Sequence, residues 1–189
     1  MEIKKLLTIM HTAEKLKDAT RHCYTSGGRR ESVAEHSWRI SLLAYLIKDE
    51  YPGADMDKVI KMCLIHDLGE AFTGDIPAFK KTKADSERET QLLFAWVDTL
   101  PQPFAQEMRE LYTEMEALET EESKIYKALD KVEAIIQHNE SDISTWEDNE
   151  YELNLTYGVE QAAFSPFLKS FREAVREETL KKMEEADHE

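Results

Sequence analysis

Apolar residues recur at helical spacing along most of this chain, and helix-breaking residues are scarce, with 6 Gly and 5 Pro among 189 residues. Such a pattern builds amphipathic helices rather than strands, so an all-α, single-domain helical bundle is expected. A first helix spans about Glu2 to Asp18, with Leu6, Ile9, Met10, Ala13 and Leu16 as its buried stripe, and a basic, glycine-containing loop from Arg21 to Arg30 follows. The second helix opens on Ser32-Val33-Ala34-Glu35. That S-x-x-E spacing lets the serine and glutamate side chains satisfy each other's free backbone amides. Its stripe runs through Ile40, Leu43 and Ile47 and ends before Pro52 and Gly53. Asp55 or Asp57 can cap a third helix carrying Val59, Met62, Cys63 and His66 and stopping near Gly69. Further helices are expected at about 84–100, 104–117, 122–140 and 165–182, with Pro101 and Pro103 separating the first two and Pro166 in the first turn of the last. Residues 142–159 are polar and aromatic without a clear period. The acidic stretch after Thr179, including Glu184, Glu185, Asp187 and Glu189, reads as a fraying helix end.

Charge narrows the function classes. With 24 Lys and Arg against 39 Asp and Glu, the formal net charge is −15. Affinity for duplex nucleic acid comes largely from clustered cations that release counterions, so DNA or RNA binding is not expected. No run approaches the roughly 20 apolar residues needed to cross a bilayer, and the N-terminus lacks a signal-like apolar stretch. A cytoplasmic protein without membrane attachment is expected. Hydrophobic residues make up 41% of the chain, enough for a core at this length. Cys23 and Cys63 match neither a disulfide framework nor a zinc spacing, and Cys63 reads as a core thiol.

The residues suited to chemistry sit on core-facing stripes. At 100° per residue, His36 shares a face with Ile40, Leu43 and Ile47, and His66 shares one with Val59, Met62 and Cys63, with Glu70 four residues on. Either histidine alone is compatible with a satisfied core residue. Asp67 directly follows His66, and a buried carboxylate is costly unless it is paired or bound to metal. A divalent cation reconciles two imidazoles with a carboxylate, provided that the ion lies between the directions of His66 and Asp67. Asp130 flanks the stripe Ile125, Leu129, Val132 and Ile136, where periodicity alone makes it a solvated aspartate.

The flanking text is more specific. Glu31-Ser32-Val33-Ala34-Glu35-His36-Ser37, Leu64-Ile65-His66-Asp67-Leu68-Gly69-Glu70-Ala71, Thr73-Gly74-Asp75-Ile76-Pro77 and Lys127-Ala128-Leu129-Asp130-Lys131 together resemble the H…HD…D signature of HD-domain metal-dependent phosphohydrolases. The similarity is to the branch containing bacterial 5′-deoxynucleotidases and their eukaryotic relatives. It covers about Leu6 to Glu140, which implies an HD domain over 1–189 with a core at about 6–140 and a helical extension at about 141–189.

The resemblance implies hydrolysis of nucleoside 5′-monophosphates, with His36, His66, Asp67 and Asp130 holding one divalent ion (Mn, Co, Mg, Zn or Fe). It implies that Glu70 orients or deprotonates water and that Asp75 protonates the departing 5′-oxygen. A phosphate dianion in an acidic protein needs local counter-charge, which Arg21, Arg29 and Arg30 would supply. Arg21 matches an arginine of the family's substrate pocket. The next position, a tryptophan in the bacterial enzymes that is linked to selection against the ribose 2′-hydroxyl, is His22 here, a departure that bears on deoxyribose preference. Relatives are commonly dimers, so a homodimer is expected. Other readings are an HD phosphohydrolase acting on a nucleoside triphosphate or alarmone, and a metal-bound module that binds nucleotide without turnover. Glu114 and Glu116 are read as surface charges, Trp38, Trp96 and Trp146 as packing residues, and His11, His138 and His188 as having no partner pattern.

Overall fold

The computed structural model describes residues 1–186. Along them run α1 (Ile3–Glu14), a hairpin of β1 (Thr20–Tyr24) and β2 (Arg30–Ser32), then α2 (Val33–Leu46), α3 (Met56–Ile65), α4 (Glu70–Thr73), α5 (Lys83–Val97), α6 (Phe104–Ala117), α7 (Glu121–Glu140), α8 (Glu150–Thr156), α9 (Val159–Ala162) and α10 (Pro166–Ala186). The fold is all-α apart from the antiparallel hairpin, whose irregular register pairs Thr20 with Ser32 and Tyr24 with Arg30. The hairpin occupies the segment expected to be a basic loop. Its strand Thr-Arg-His-Cys-Tyr alternates side chains, so Arg21 and Cys23 both reach Glu31 on β2, at 2.9 and 3.3 Å.

Helix α7 is the centre of the bundle and packs against α2, α3, α6, α9 and α10. Ile125, Ala128, Leu129, Val132 and Ile135 are all buried along it, far more than one stripe, because neighbours surround it. Against α7 lie Ile40 and Ala44 of α2 and Val59, Met62 and Cys63 of α3. The expected starts of α2 and α3 are observed: Ser32 and Glu35 form the capping box, and the Asp55 carboxylate accepts the Lys58 amide. The expected third helix, however, is two pieces. Its ladder ends at Ile65 because side chains capture the terminal carbonyls: His66 Nδ1 donates to Cys63 O at 2.9 Å and the Tyr112 hydroxyl donates to Ile65 O at 2.6 Å. A tight turn follows, and α4 restarts at Glu70. Gly69 is needed in that turn, since a Cβ there would lie 2.8 Å from Glu89 Cγ of α5.

Two apolar expectations fail on α1 and α2. No α1 residue is buried, and Leu6 and Met10 are 44% and 55% exposed, because α1 touches little beyond the following turn and α4. Trp38 is likewise 63% exposed on α2, whereas Trp146 is buried among His138 and Tyr151. The unassigned stretch 142–159 forms a 3₁₀ turn, Ile143–Thr145, and then α8. Gly158, at φ 80°, ends α8 where a Cβ would lie 2.8 Å from Lys131 Cβ, so both conformation and contact require glycine. Helix α10 runs through the expected fraying end as far as Ala186, with Leu168, Arg172, Val175 and Thr179 buried. Asp187, His188 and Glu189, to which parts of the tail and histidine readings applied, lie outside the described residues. Among the described residues no helix is long and apolar enough to cross a membrane.

Candidate metal centre and cavity

His36 reaches the centre from α2, His66 and Asp67 from the turn that ends α3, and Asp130 from α7. His36 Nε2 lies 3.3 Å from Asp130 Oδ1 and 4.0 Å from Asp67 Oδ2, and His66 Nε2 lies 2.9 Å from Asp67 Oδ2 and 3.8 Å from Asp130 Oδ1. His36, His66 and Asp67 thus bring ligand atoms within 4.8 Å of one another, and Asp130, which periodicity alone places in solvent, lies within 3.8 Å of both imidazole nitrogens. It comes inward because the face of α7 beside its apolar stripe is itself covered, leaving the Asp130 side chain only 17% exposed and paired with Lys127 at 2.9 Å.

The ring nitrogens facing that centre are fixed from behind. A carbonyl only accepts, so His66 Nδ1 must carry the proton it gives to Cys63 O, which leaves Nε2 with a lone pair when the ring is neutral. His36 Nδ1 is held in the same way by the Glu133 carboxylate, which is buried and flanked by Arg21 at 3.6 Å and Arg39 at 3.5 Å. Carboxylate or carbonyl partners behind a histidine are the arrangement that orients metal-binding imidazoles. Glu133 was missed in the sequence, although it stands four residues after Leu129, a charge inside the apolar period of α7.

Electrostatics suit a cation. Burial pushes the Asp67 carboxyl up, but His66 beside it and His36 outweigh this and hold it at about 2. Asp130 is held well below the usual range by Lys127, His36 and His66 despite its burial. Burial and the Arg21 charge draw the His36 imidazole down, yet the hydrogen bonds it donates to the Asp130 and Glu133 carboxylates raise it to about 9. Glu70 goes the other way: burial and the charges of Asp67, Asp75 and Glu89 push its carboxyl up to about 10. His66 Nε2 and Glu70 Oε2 are buried without a hydrogen-bond partner, and the Asp67 oxygen 2.9 Å from Nε2 is itself an acceptor that cannot satisfy a lone pair. Clustered carboxylates and an orphaned imidazole nitrogen fit a divalent ion, which would supply the missing positive charge.

His36, Asp67 and Asp130 also line a cavity of about 200 Å³. Arg21, His22, Glu70 and Asp75 all line it. Burial, with Asp67 nearby, raises the Asp75 carboxyl above its ordinary value, against the opposing charges of Arg21, His22 and Lys81. His22 is committed on one side, its Nε2 lying 2.7 Å from Glu150 Oε1. Arg29 and Arg30 are not in the cavity, which corrects the expectation that they face a phosphate. Arg29 pairs with Glu35 on the surface, Arg30 stacks on Tyr24, and both line a separate shallow groove beside Trp38. The reason is local: the capping glutamate of α2 already offers Arg29 a carboxylate, and the hairpin turns both arginines outward. The cations that do line the cavity with Arg21 are Lys81, Lys127 and Lys131, the last two one helical turn apart on α7. His138, read as partnerless, is buried beside His22 and lies 3.5 Å from Glu150. Its burial lowers the imidazole to about 4, so the ring is neutral near pH 7.

Comparison with known proteins matches this chain to the family model described as HD domain over residues 13–172. Among curated relatives, the human 5′-deoxynucleotidase HDDC2 is 32% identical over 141 residues, covering 72% of this chain and 68% of that protein. The 5′-deoxynucleotidase HDDC2 of Xenopus laevis is 34% identical over 145 residues, covering 71% and 68%. Among solved structures, a predicted metal-dependent phosphohydrolase from Magnetospirillum magnetotacticum superposes with a TM-score of 0.77 at 26% identity, covering 95% of this chain and 93% of that one. A conserved hypothetical protein from Pyrococcus furiosus superposes with a TM-score of 0.63 at 31% identity, covering 93% and 99%.

Proposed function

The chain belongs to the HD-domain family, and on that premise we propose that it is a phosphoric monoester hydrolase that removes the 5′-phosphate from nucleoside 5′-monophosphates. The observation that carries this reading is the proximity of His36, His66, Asp67 and Asp130 beside a cavity lined by three of them together with Glu70, Asp75 and Arg21. His36 Nε2, His66 Nε2 and the carboxylates of Asp67 and Asp130 would hold one divalent ion. When bound, that ion supplies Lewis-acid polarisation of a phosphoryl oxygen and of the attacking water, and it offsets the buried negative charge.

The chain's own groups then divide the work. Arg21, fixed by Glu31, and the cavity lysines balance the phosphate charge. Glu70 takes a proton from the attacking water at Oε2, the oxygen left without a partner in the fold. Glu70, raised by burial and by Asp67, Asp75 and Glu89, would be free to accept that proton once the charge of the neighbouring carboxylates is offset. Asp75, whose carboxyl burial shifts upward, would donate a proton to the departing 5′-oxygen. The walls from α7 and α8 keep bulk water from the reacting bond.

This reading carries the rest of the expected picture. The expected single domain over 1–189 is supported by α9 and α10 packing on α7 and by α8 packing on α10. Two buried free cysteines suit a reducing, cytoplasmic setting. The exposed Ile3, Leu6, Leu7 and Met10 of α1 supply an apolar face for a second copy in a homodimer.

The test is phosphate release from nucleoside mono-, di- and triphosphates after chelator stripping and re-addition of Mn, Co, Mg or Zn one at a time. Metal-restored release from monophosphates, with little from triphosphates, is the expected result. Release confined to triphosphates would overturn the substrate class, and no release with any metal would indicate binding without turnover.

A further inference from the structure

The segment after residue 140 closes the cavity with a face of α8 that is polar rather than apolar. Leu153, Asn154 and Tyr157 line the cavity, and Glu150, one turn before Asn154, holds His22, so the spacing of one helix face is spent on the site. Asn154 is 1% exposed, and its side-chain Nδ2 has no hydrogen-bond partner. Its backbone is clamped: Arg172 of α10, itself buried, donates from Nη2 to Asn154 O at 2.7 Å and from Nε to Tyr157 O at 2.8 Å. Gly158 and the Lys131–Tyr157 contact fix the end of the same helix. The helix that carries the amide is thereby held against the cavity. Buried donors are normally paired, and an unpaired one in a residue that lines a cavity calls for a partner, which a small side-chain rotation would let the cavity's occupant supply.

The charged groups of the cavity, Arg21 and the lysines, serve the phosphate. Asn154 is neutral and suits a neutral oxygen. We propose that Asn154 is a specificity-determining residue, donating from Nδ2 to an acceptor oxygen on the nucleoside half of the substrate, either the sugar 3′-hydroxyl or a base carbonyl. This rests on the nucleotidase reading above and extends it to the C-terminal segment. Sites that hydrogen-bond a substrate group reject analogues lacking it far more strongly than apolar sites do, because the buried partner is left unpaired.

Metal-loaded full-length protein is assayed for kcat/KM on thymidine and deoxyadenosine 5′-monophosphates and on their 2′,3′-dideoxy counterparts. The quantity read is the ratio of kcat/KM with and without the acceptor. Adenine has no carbonyl, so the two bases and the two sugars separate the possible oxygens. Wild type should favour the substrate bearing the acceptor by about 10–100-fold, and Asn154→Ala should bring that ratio to near one. Asn154→Asp, which keeps the shape but removes the N–H donor, should do the same, and it serves if the alanine variant does not fold. A sugar contact shows as a ratio between deoxy and dideoxy substrates, and a base contact as one between thymine and adenine. Ratios near one in wild type, or ratios unchanged in both variants whatever their absolute rates, would overturn the proposal while leaving the nucleotidase reading intact. Wild type inert toward all four nucleotides would overturn both.

Discussion

Asp67→Ala is expected to strip the protein of its ion and to lower phosphate release by on the order of 10³-fold or more. Metal Lewis-acid action contributes several kcal/mol to a phosphoryl-transfer transition state, and each 1.36 kcal/mol is a factor of ten in rate. Asp67 is the most exacting of the four candidate ligands to lose. Its Oδ2 is 2.9 Å from one imidazole nitrogen and 4.0 Å from the other, and it is one of two carboxylates in the set. Without it, two imidazoles and Asp130 remain, and Asp130 also answers Lys127. Metal content by mass spectrometry, read beside phosphate release, checks this, and Asp67→Asn separates loss of charge from loss of shape. An Asp67→Ala protein that retains full activity without metal would remove the ligand assignment.

Glu70→Gln should behave differently, keeping the ion while losing about 10²–10⁴-fold in kcat, the usual worth of a positioned general base. Glu70 stands apart from the ligand atoms in the chain and is buried at 6% exposure, with one oxygen unpartnered. Glutamine preserves its volume and removes the proton acceptor. Burial and three neighbouring carboxylates push Glu70 up to about 10 in the metal-free fold. Such a carboxyl must take up a proton on folding at neutral pH, a cost that glutamine does not carry, so the thermal midpoint of the metal-free variant should equal or exceed that of wild type. Metal content equal to wild type with a collapsed kcat separates this residue from the four ligands. Loss of metal in Glu70→Gln would make it a ligand rather than a base.

What could be read from the chain was local. The Ser32–Glu35 box, the Asp55 cap and Pro101, Pro103 and Pro166 are signals between near neighbours in sequence, and the helices begin and end close to where they indicate. His36 and His66 were visible as polar residues on apolar faces. Asp130 was not visible by period, because its inward position depends on α7 being surrounded on several sides, a tertiary fact; only the resemblance singled it out. The same cause hid Glu133, His138 and Asn154. Each needs a partner far away in sequence, as with His36 and Glu133 or His22 and Glu150, and no spacing within one helix announces such a pair. Arg29 and Arg30 erred in the opposite sense. Composition made them a phosphate site, whereas a carboxylate six residues away claims Arg29 first. On α1 the apolar stripe was real, but the number of neighbours available to cover it was not written in its period.

The central claim is that one cation is shared by side chains of α2, the α3–α4 turn and α7. The direct measurement is anomalous-scattering crystallography of metal-loaded protein, collected at the absorption edge of the added ion. One peak per chain is predicted, at about 2.0–2.2 Å from His36 Nε2, His66 Nε2 and carboxylate oxygens of Asp67 and Asp130. A peak only at His22, His138 and Glu150, the other histidine-bearing cluster of the cavity region, or Asp130 turned away from an ion held by the two histidines, would contradict it.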